Sequence, residues 1–258
     1  MYDQSPTINI FEKVARKAGK FLIRDFGEIE NLQIQSKGVA DFVTNIDLKV
    51  EKILIESLQN YYPNSSFLSE EKGRIKGNNE TIVIDPIDGT TNFIHGIPQV
   101  GIVISKIVED EIIDGVIFNP IMNDFFWASK GRGAWHNNRR MRVSKRKNLD
   151  TCLIGAGIAH NEIKNERDLM EIQKISKYCA GIRRMGSAAI DLAYVAAGKL
   201  DAFWERNLNL WDVSSGVLIV REAGGKITEP NGNTWELDSQ DILASNSLIH
   251  EEIIEKLK

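Results

Sequence analysis

A chain of 258 residues, 42% hydrophobic and 26% charged, is a globular protein long enough for one large domain or for two halves that share a core. Its formal net charge of −4 gives no overall field that favours nucleic acid. Two cysteines, Cys152 and Cys179, exclude a disulfide framework and fit a reducing compartment, with a single bridge left open. Residues 1–6 show no basic region followed by an apolar one, and no uncharged apolar run approaches the ~20 residues of a membrane span, so the expectation is a soluble cytoplasmic chain.

Residues 7–26 place Ile10, Phe11, Val14, Ala15, Ala18, Phe21, Leu22 and Phe26 at helical spacing, with Gly27 at the end. Residues 31–43 are polar and glycine-containing and read as a short strand followed by a loop. Thr44-Asn45-Ile46-Asp47 opens a second helix with Val50, Ile53, Leu54, Leu58 and Tyr61 as its stripe and Pro63 beyond its end. Residues 69–80 read as a charged loop. The apolar run 81–84 reads as a buried strand that Pro86 stops. From 98 to 144 the pattern is β, with strands at 100–108, 114–118 and 125–128.

The character changes near 145–150. A strand at 153–155 leads to a helix at about 164–178, a short strand at 182–185 and a small-residue helix at 187–197 closed by Gly198. A strand at 202–204, a helix at 213–223 closed by Gly224-Gly225, strands near 226–228 and 242–245 and a terminal helix finish the chain. Long helices with antiparallel strands come first and alternating β and α second, which suggests stacked layers of sheets and helices.

The most informative run is Ile84-Asp85-Pro86-Ile87-Asp88-Gly89-Thr90-Thr91-Asn92-Phe93. Asp85 and Asp88 project from a strand end into a loop that can offer backbone N–H groups to an anion. Carboxylates for Mg²⁺ beside amides for phosphate are the parts of metal-assisted phosphoryl chemistry. Glu70 and Glu71 are either a solvated charge run or the source of a further carboxylate. Asp47 is either the acid of a Thr44-x-x-Asp47 capping box or a site residue, and Asp212 either caps the helix that follows it or joins the site. Of His95, His136, His160 and His250, none has zinc spacing. A single His is more often a surface or packing residue, with His95 close enough behind the loop to be the candidate for lining it. The stretch 139–147 carries six basic residues in nine. It could contact nucleic acid or protein, but the lack of interleaved aromatics favours a hairpin strand with a solvated face.

These residues resemble the inositol monophosphatase family of Mg²⁺-dependent, Li⁺-sensitive phosphatases, and its bacterial branch in particular. The run above is one signature; Trp211-Asp212-Val213-Ser214-Ser215-Gly216, continuing to Glu222-Ala223-Gly224-Gly225, is the other. Asp41-Phe42-Val43-Thr44, Phe67-Leu68-Ser69-Glu70-Glu71, Gly186-Ser187-Ala188-Ala189 and Asp201-Ala202-Phe203-Trp204-Glu205 support them. The resemblance implies an α-β-α-β-α layered sandwich over residues 1–258. Residues 1–147 would form an α+β half with most metal ligands, and residues 148–258 an α/β half with Asp212 and the substrate contacts. It also implies a homodimer and a small phosphate ester substrate, inositol 1-phosphate first, with fructose 1,6-bisphosphate and 3′-phosphoadenosine 5′-phosphate as alternatives. Mg²⁺ is the implied cofactor, about two to three ions per site.

By matching positions, Glu70, Asp85 and the carbonyl of Ile87 would hold one ion, and Asp85, Asp88 and Asp212 a second. Glu70 would help a third ion through water. Asp47 and Thr90 would orient the attacking water. Amides of Gly89, Thr90 and Thr91 would bind phosphate, and Gly186, Ser187, Ala188 and Glu205, beside Asp88 and Asp212, would meet the alcohol. The departures are Ser214, where relatives usually have Ala, and residues 155–160, expected near the rim of the site. Some bacterial relatives are linked to RNA-related regulation, so binding of nucleic acid or RNA polymerase through 139–147 is the reading from another class.

Overall fold

The computed structural model describes residues 4–28, 34–38, 41–78, 80–158 and 162–258. Helix α1 (Pro6–Asp25) begins where Ser5 accepts the Ile8 amide on its Oγ at 3.2 Å and Pro6 takes the first helical position, where a missing N–H costs nothing. Ile8, Phe11, Val14, Ala15, Ala18 and Leu22 form its buried stripe. Strands β1 (Ile34–Gly38) and β2 (Asp41–Thr44) pair antiparallel as a two-stranded sheet. The second of them stands where a loop is expected, because four residues of mixed polarity carry too little periodicity to read. Residues 39–40 and 159–161 lie outside the described residues, so the expectations that fall on them are not tested. Helix α2 (Asn45–Gln59) buries Val50, Leu54 and Leu58 in one cluster with α1, while Tyr61 is exposed past its end.

The expected loop at 69–80 contains the end of strand β3 (Ser66–Ser69) and a short strand β4 (Gly73–Ile75) that turns back on it. This edge strand is partly exposed and charged, which hides it from pattern reading. Strand β5 (Glu80–Asp88), the short helix α3 (Thr90–Ile94) and strands β6 (Gly101–Val108), β7 (Glu111–Asn119), β8 (Asp124–Ser129), β9 (Ala134–His136) and β10 (Arg139–Arg140) follow. The eight strands order as β10-β9-β8-β7-β6-β5-β3-β4, antiparallel except for β3 beside β5. Pro86 does not end β5, contrary to expectation. Pairing with β6 slips between Asp85 and Asp88 and resumes with Asp88 opposite Gly101. A bulge tolerates proline because its residue owes the ladder no N–H.

The second half runs β11 (Leu153–Ala156), α4 (Glu162–Ile175), β12 (Gly181–Arg183), α5 (Ala188–Ala196), β13 (Ala202–Glu205), α6 (Leu210–Glu222), β14 (Lys226–Thr228), β15 (Ile242–Ser245) and α7 (His250–Leu257). Its five-stranded sheet has the order β12-β11-β13-β15-β14. Helix α6 starts three residues before the expected position 213, because Asn209 serves as its cap. Strand β12 stops at Arg183, short of the expected 185, as the chain turns towards Gly186 at φ +77°.

Alternation along β5 sorts the layers: Ile82 and Ile84 pack with α1 and α2, and Val83 faces the other way. There Ile190, Leu192, Val217 and Ile219 of α5 and α6 share a core with Val83, Val103 and Ile117 of the large sheet and Phe203 and Ala244 of the small one. Ile253, Ile254 and Leu257 of α7 and Ile175 of α4 cover the far face through Ile154, Trp204 and Leu243. The result is the expected α-β-α-β-α sandwich. Glycine sets its central spacing, since a Cβ on Gly216 would stand 2.4 Å from Leu192 Cδ1. Both cysteines are free. Among the described residues no helix is long and apolar enough to cross a membrane. In the basic stretch only Arg139 and Arg140 are strand; Met141 is buried and the six cationic side chains are exposed.

Candidate active site

The parallel pairing of β3 with β5 sets Ser69 opposite Ile84, so Glu70 and Asp85 leave neighbouring strands at one level. Asp85 is 2% exposed, and its Oδ1 accepts the Ile87 amide at 2.9 Å. Asp88 is half-buried, and its Oδ2 accepts the Ser187 hydroxyl at 2.5 Å and the Ala189 amide at 2.7 Å. The end of β5 is thereby tied to the start of α5. Asp212 accepts the Asn209 amide at 2.6 Å as the acid of a capping box, three residues into α6 rather than at the cap. Its charge reaches Asp85 and raises that carboxyl. Cap and site therefore coincide in Asp212.

Burial holds Asp85 well above the usual carboxylate range, and the charges of Glu70, Asp88 and Asp212 push it higher, against the Ile87 amide. Burial also lifts Asp88 to about 6, opposed by its donors Ser187, Ala189 and Ala188. Burial and the charge of Asp88 lift Asp212 to about 7. Glu205, at the end of β13, rises to about 8 through burial, Asp88 and Asp212, with Arg184 opposing. Buried acids that raise one another in this way are a site that a divalent cation relieves. Among the described residues no three His, Cys, Asp or Glu stand as a closed ligating group. The carboxylates meet through charge instead. Their donor set is nonetheless all oxygen, which suits Mg²⁺, an ion that keeps several waters in its shell.

Asp47 is 1% exposed in the first turn of α2. The Thr44 half of its capping box lies outside the described side chains. Thr90 Oγ1 stands 3.0 Å from both Asp47 Oδ1 and Ile87 O, so its one proton is shared between two acceptors. Gly89 precedes α3 at φ +92°, and a Cβ there would stand 2.8 Å from Gln99 O, so only glycine fits. The leading amides of α3, at Thr90 and Thr91, have no intrahelical acceptor, as at any helix start. His95 is exposed at the opposite end of α3. Asn92 donates to Met185 O at 2.7 Å and to Gln99 O at 2.8 Å, which fixes the approach to Gly186, Ser187 and Ala188.

Three side-chain roles have no counterpart among the sequence expectations. The Ser187 hydroxyl is one. Glu51 is another: fully buried on α2, it accepts the Glu71 and Lys72 amides at 2.9 and 3.1 Å and so holds the turn after Glu70. Its signal is an acid four residues after Asp47, inside an apolar stripe where packing offers it no reason to be. Asp191 is the third, the one acid in the apolar helix α5, and 2% exposed.

The family model described as the Inositol monophosphatase family matches residues 3–258. The chain is 46% identical over 252 residues to the Inositol-1-monophosphatase of Caulobacter vibrioides, a match covering 95% of this chain and 98% of that protein. It is 39% identical over 249 residues to the Nus factor SuhB of Pseudomonas aeruginosa, covering 94% and 92%. The solved structure of extragenic suppressor protein suhB from Bartonella henselae superposes with a TM-score of 0.95 at 43% identity, covering 98% and 99%. With nearly every residue matched, this chain belongs to the inositol monophosphatase family, whose phosphatases are generally Mg²⁺-dependent.

Proposed function

We propose that this chain is a Mg²⁺-dependent phosphomonoesterase that hydrolyses inositol 1-phosphate to inositol and phosphate. The observation that carries the reading is the mutually repelling group of Asp85 with Glu70, Asp88 and Asp212, next to the start of α3. Glu70, Asp85 and the Ile87 carbonyl would hold one ion, Asp85, Asp88 and Asp212 a second, and Glu70 would help a third through water. When bound, Mg²⁺ screens the phosphate charge, lowers the pKa of water and stabilises the leaving alkoxide.

The side chains do the rest. The Thr90 hydroxyl, held by Asp47 and Ile87 O, accepts a hydrogen bond from the attacking water while giving its own proton to Asp47, which fixes the water for in-line attack. A bond from water oxygen to phosphorus forms as the bond to the inositol oxygen breaks, and the inositol oxygen takes up a proton in place of the one the attacking water gives up. Amides of Gly89, Thr90 and Thr91 receive the phosphate oxygens. Glu205 and the backbone of Gly186, Ser187 and Ala188, beside Asp88 and Asp212, receive the alcohol. Rates on inositol 1-phosphate, fructose 1,6-bisphosphate and 3′-phosphoadenosine 5′-phosphate, with and without Li⁺, test the substrate. The proposal expects the first to be fastest and Li⁺ to inhibit. A faster second or third substrate replaces it with the corresponding alternative.

A second reading is a binding role through 139–147. It is favoured by the six exposed cations there and by the name Nus factor SuhB carried by a relative at 39% identity. A salt-sensitive complex with RNA or RNA polymerase that survives Asp88→Ala supports it; no complex at low salt removes it. We also propose a homodimer, which sedimentation equilibrium tests directly.

A further inference from the structure

Two glycines at the end of β11 leave one slot for two acids. Gly155 and Gly157 are two residues apart, so side chains at both would point to one face of the strand. Pairing with β13 continues this far, since the Gly157 amide donates to Trp204 O at 2.9 Å. A Cβ on Gly155 would stand 2.9 Å from Asp191 Oδ1, and a Cβ on Gly157 1.9 Å from Glu205 Cδ. The bare backbone thus admits Asp191 from α5 and Glu205 from β13.

Asp191 is 2% exposed, and its Oδ1 has no hydrogen-bond partner among the described residues. The Met185 amide, one residue before Gly186, lies near enough to this carboxyl to favour its ionised form. Arg206, bonded to Glu171 and Asp241 at 2.8 Å each, pins the strand end that carries Glu205. A buried carboxyl oxygen without a donor is costly as an ion but is itself a donor when protonated. Burial and the charges of Glu205 and Asp88 favour that neutral form of Asp191, against Arg184.

We propose that Asp191 is a positioning residue for recognition of the leaving alcohol: lodged in the slot at Gly155 and Gly157, it fixes the Glu205 carboxyl and the backbone of residues 185–187 that would meet substrate hydroxyls. This rests on the phosphomonoesterase reading and adds a residue that sets which alcohol is accepted.

The test uses the full chain with Mg²⁺, thermal melts as a check of folding, and two substrates. Inositol 1-phosphate has hydroxyls to read, and p-nitrophenyl phosphate has none. Asp191→Ala raises KM for inositol 1-phosphate about tenfold and leaves kcat/KM for p-nitrophenyl phosphate within about twofold. Asp191→Asn, whose amide both donates and accepts, restores inositol 1-phosphate turnover to within about threefold of wild type. Gly155→Ala, which crowds Asp191, moves the ratio of the two substrates in the same direction and decides the matter if Asp191→Ala does not fold. An unmoved ratio in a folded Asp191→Ala or Gly155→Ala protein overturns the proposal alone. Turnover of neither substrate by the wild-type protein overturns it together with the phosphomonoesterase reading.

Discussion

Ser187 donates its hydroxyl to Asp88 at 2.5 Å, joining residues 99 positions apart in the chain. The same oxygen accepts the Ile190 amide at 3.3 Å as the cap of α5. Ser187→Ala removes both bonds. Loss of the cap costs ~1 kcal/mol of stability, and a freed Asp88 lowers kcat by about tenfold while the fold is kept. Urea melts and steady-state kinetics check the two effects separately. Unchanged kcat in the variant would cut the link between this bond and turnover.

The proposed Mg²⁺ site predicts that the ion stabilises the fold as well. The folded pKa values of Asp88, about 6, and Asp212, about 7, lie above the ordinary 3.8. Without metal the folded state therefore binds more protons than the unfolded one, and the contribution of these acids to stability falls as pH rises through that range. Mg²⁺ competes with those protons, so it raises the melting temperature more at pH 8 than at pH 5. At 100 times Kd the gain is about 2.7 kcal/mol. Asp85→Asn abolishes it. Calorimetry with Mg²⁺ and with EDTA at both pH values reads this directly.

Ser214 accepts the Ser105 hydroxyl at 2.8 Å, and both side chains are fully buried. Ser214→Ala leaves Ser105 without that acceptor and costs ~1–2 kcal/mol. Adding Ser105→Ala recovers part of the loss, because no stranded hydroxyl remains. A double-mutant cycle with a coupling near zero would contradict the account.

His250 is fully buried between Thr228 Oγ1 at 2.9 Å and Ser245 Oγ at 2.8 Å. Burial first, and then Lys226, depress it from 6.5 to about 4. The unfolded state takes up its proton first, so stability is intact above about 6.5 and falls as pH drops towards 4. The full effect is ~3 kcal/mol by linkage. His250→Gln flattens the stability profile in that window, which denaturant melts at pH 4.5 and 7 measure.

Helices α1, α2, α5 and α6 were legible because each carries a continuous apolar face, and β5 to β7 because their buried runs are long. Strands β2 and β4 were not, being short, with β4 a partly exposed edge. Pro86 misled in one respect: whether a proline ends a strand or sits in a bulge depends on β6, a partner that lies further along the chain. Local chemistry pointed to Asp85 and Asp88. The residues left Glu70 and Asp212 as open candidates and the family resemblance decided for them, since what brings them near Asp85 is sheet pairing and the packing of α6, neither of which has a local signature. The hydroxyl of Ser187 and the buried acids Glu51 and Asp191 act through contacts between distant segments, and only the oddity of an acid in an apolar stripe announced the last two.

The most direct test of the central claim is phosphate release from inositol 1-phosphate by the wild-type chain and by Asp88→Ala, each with Mg²⁺ and with EDTA. The account predicts turnover by the wild type with Mg²⁺, none with EDTA and none by a folded Asp88→Ala protein. Turnover that persists in EDTA, or in the variant at the wild-type rate, would contradict it.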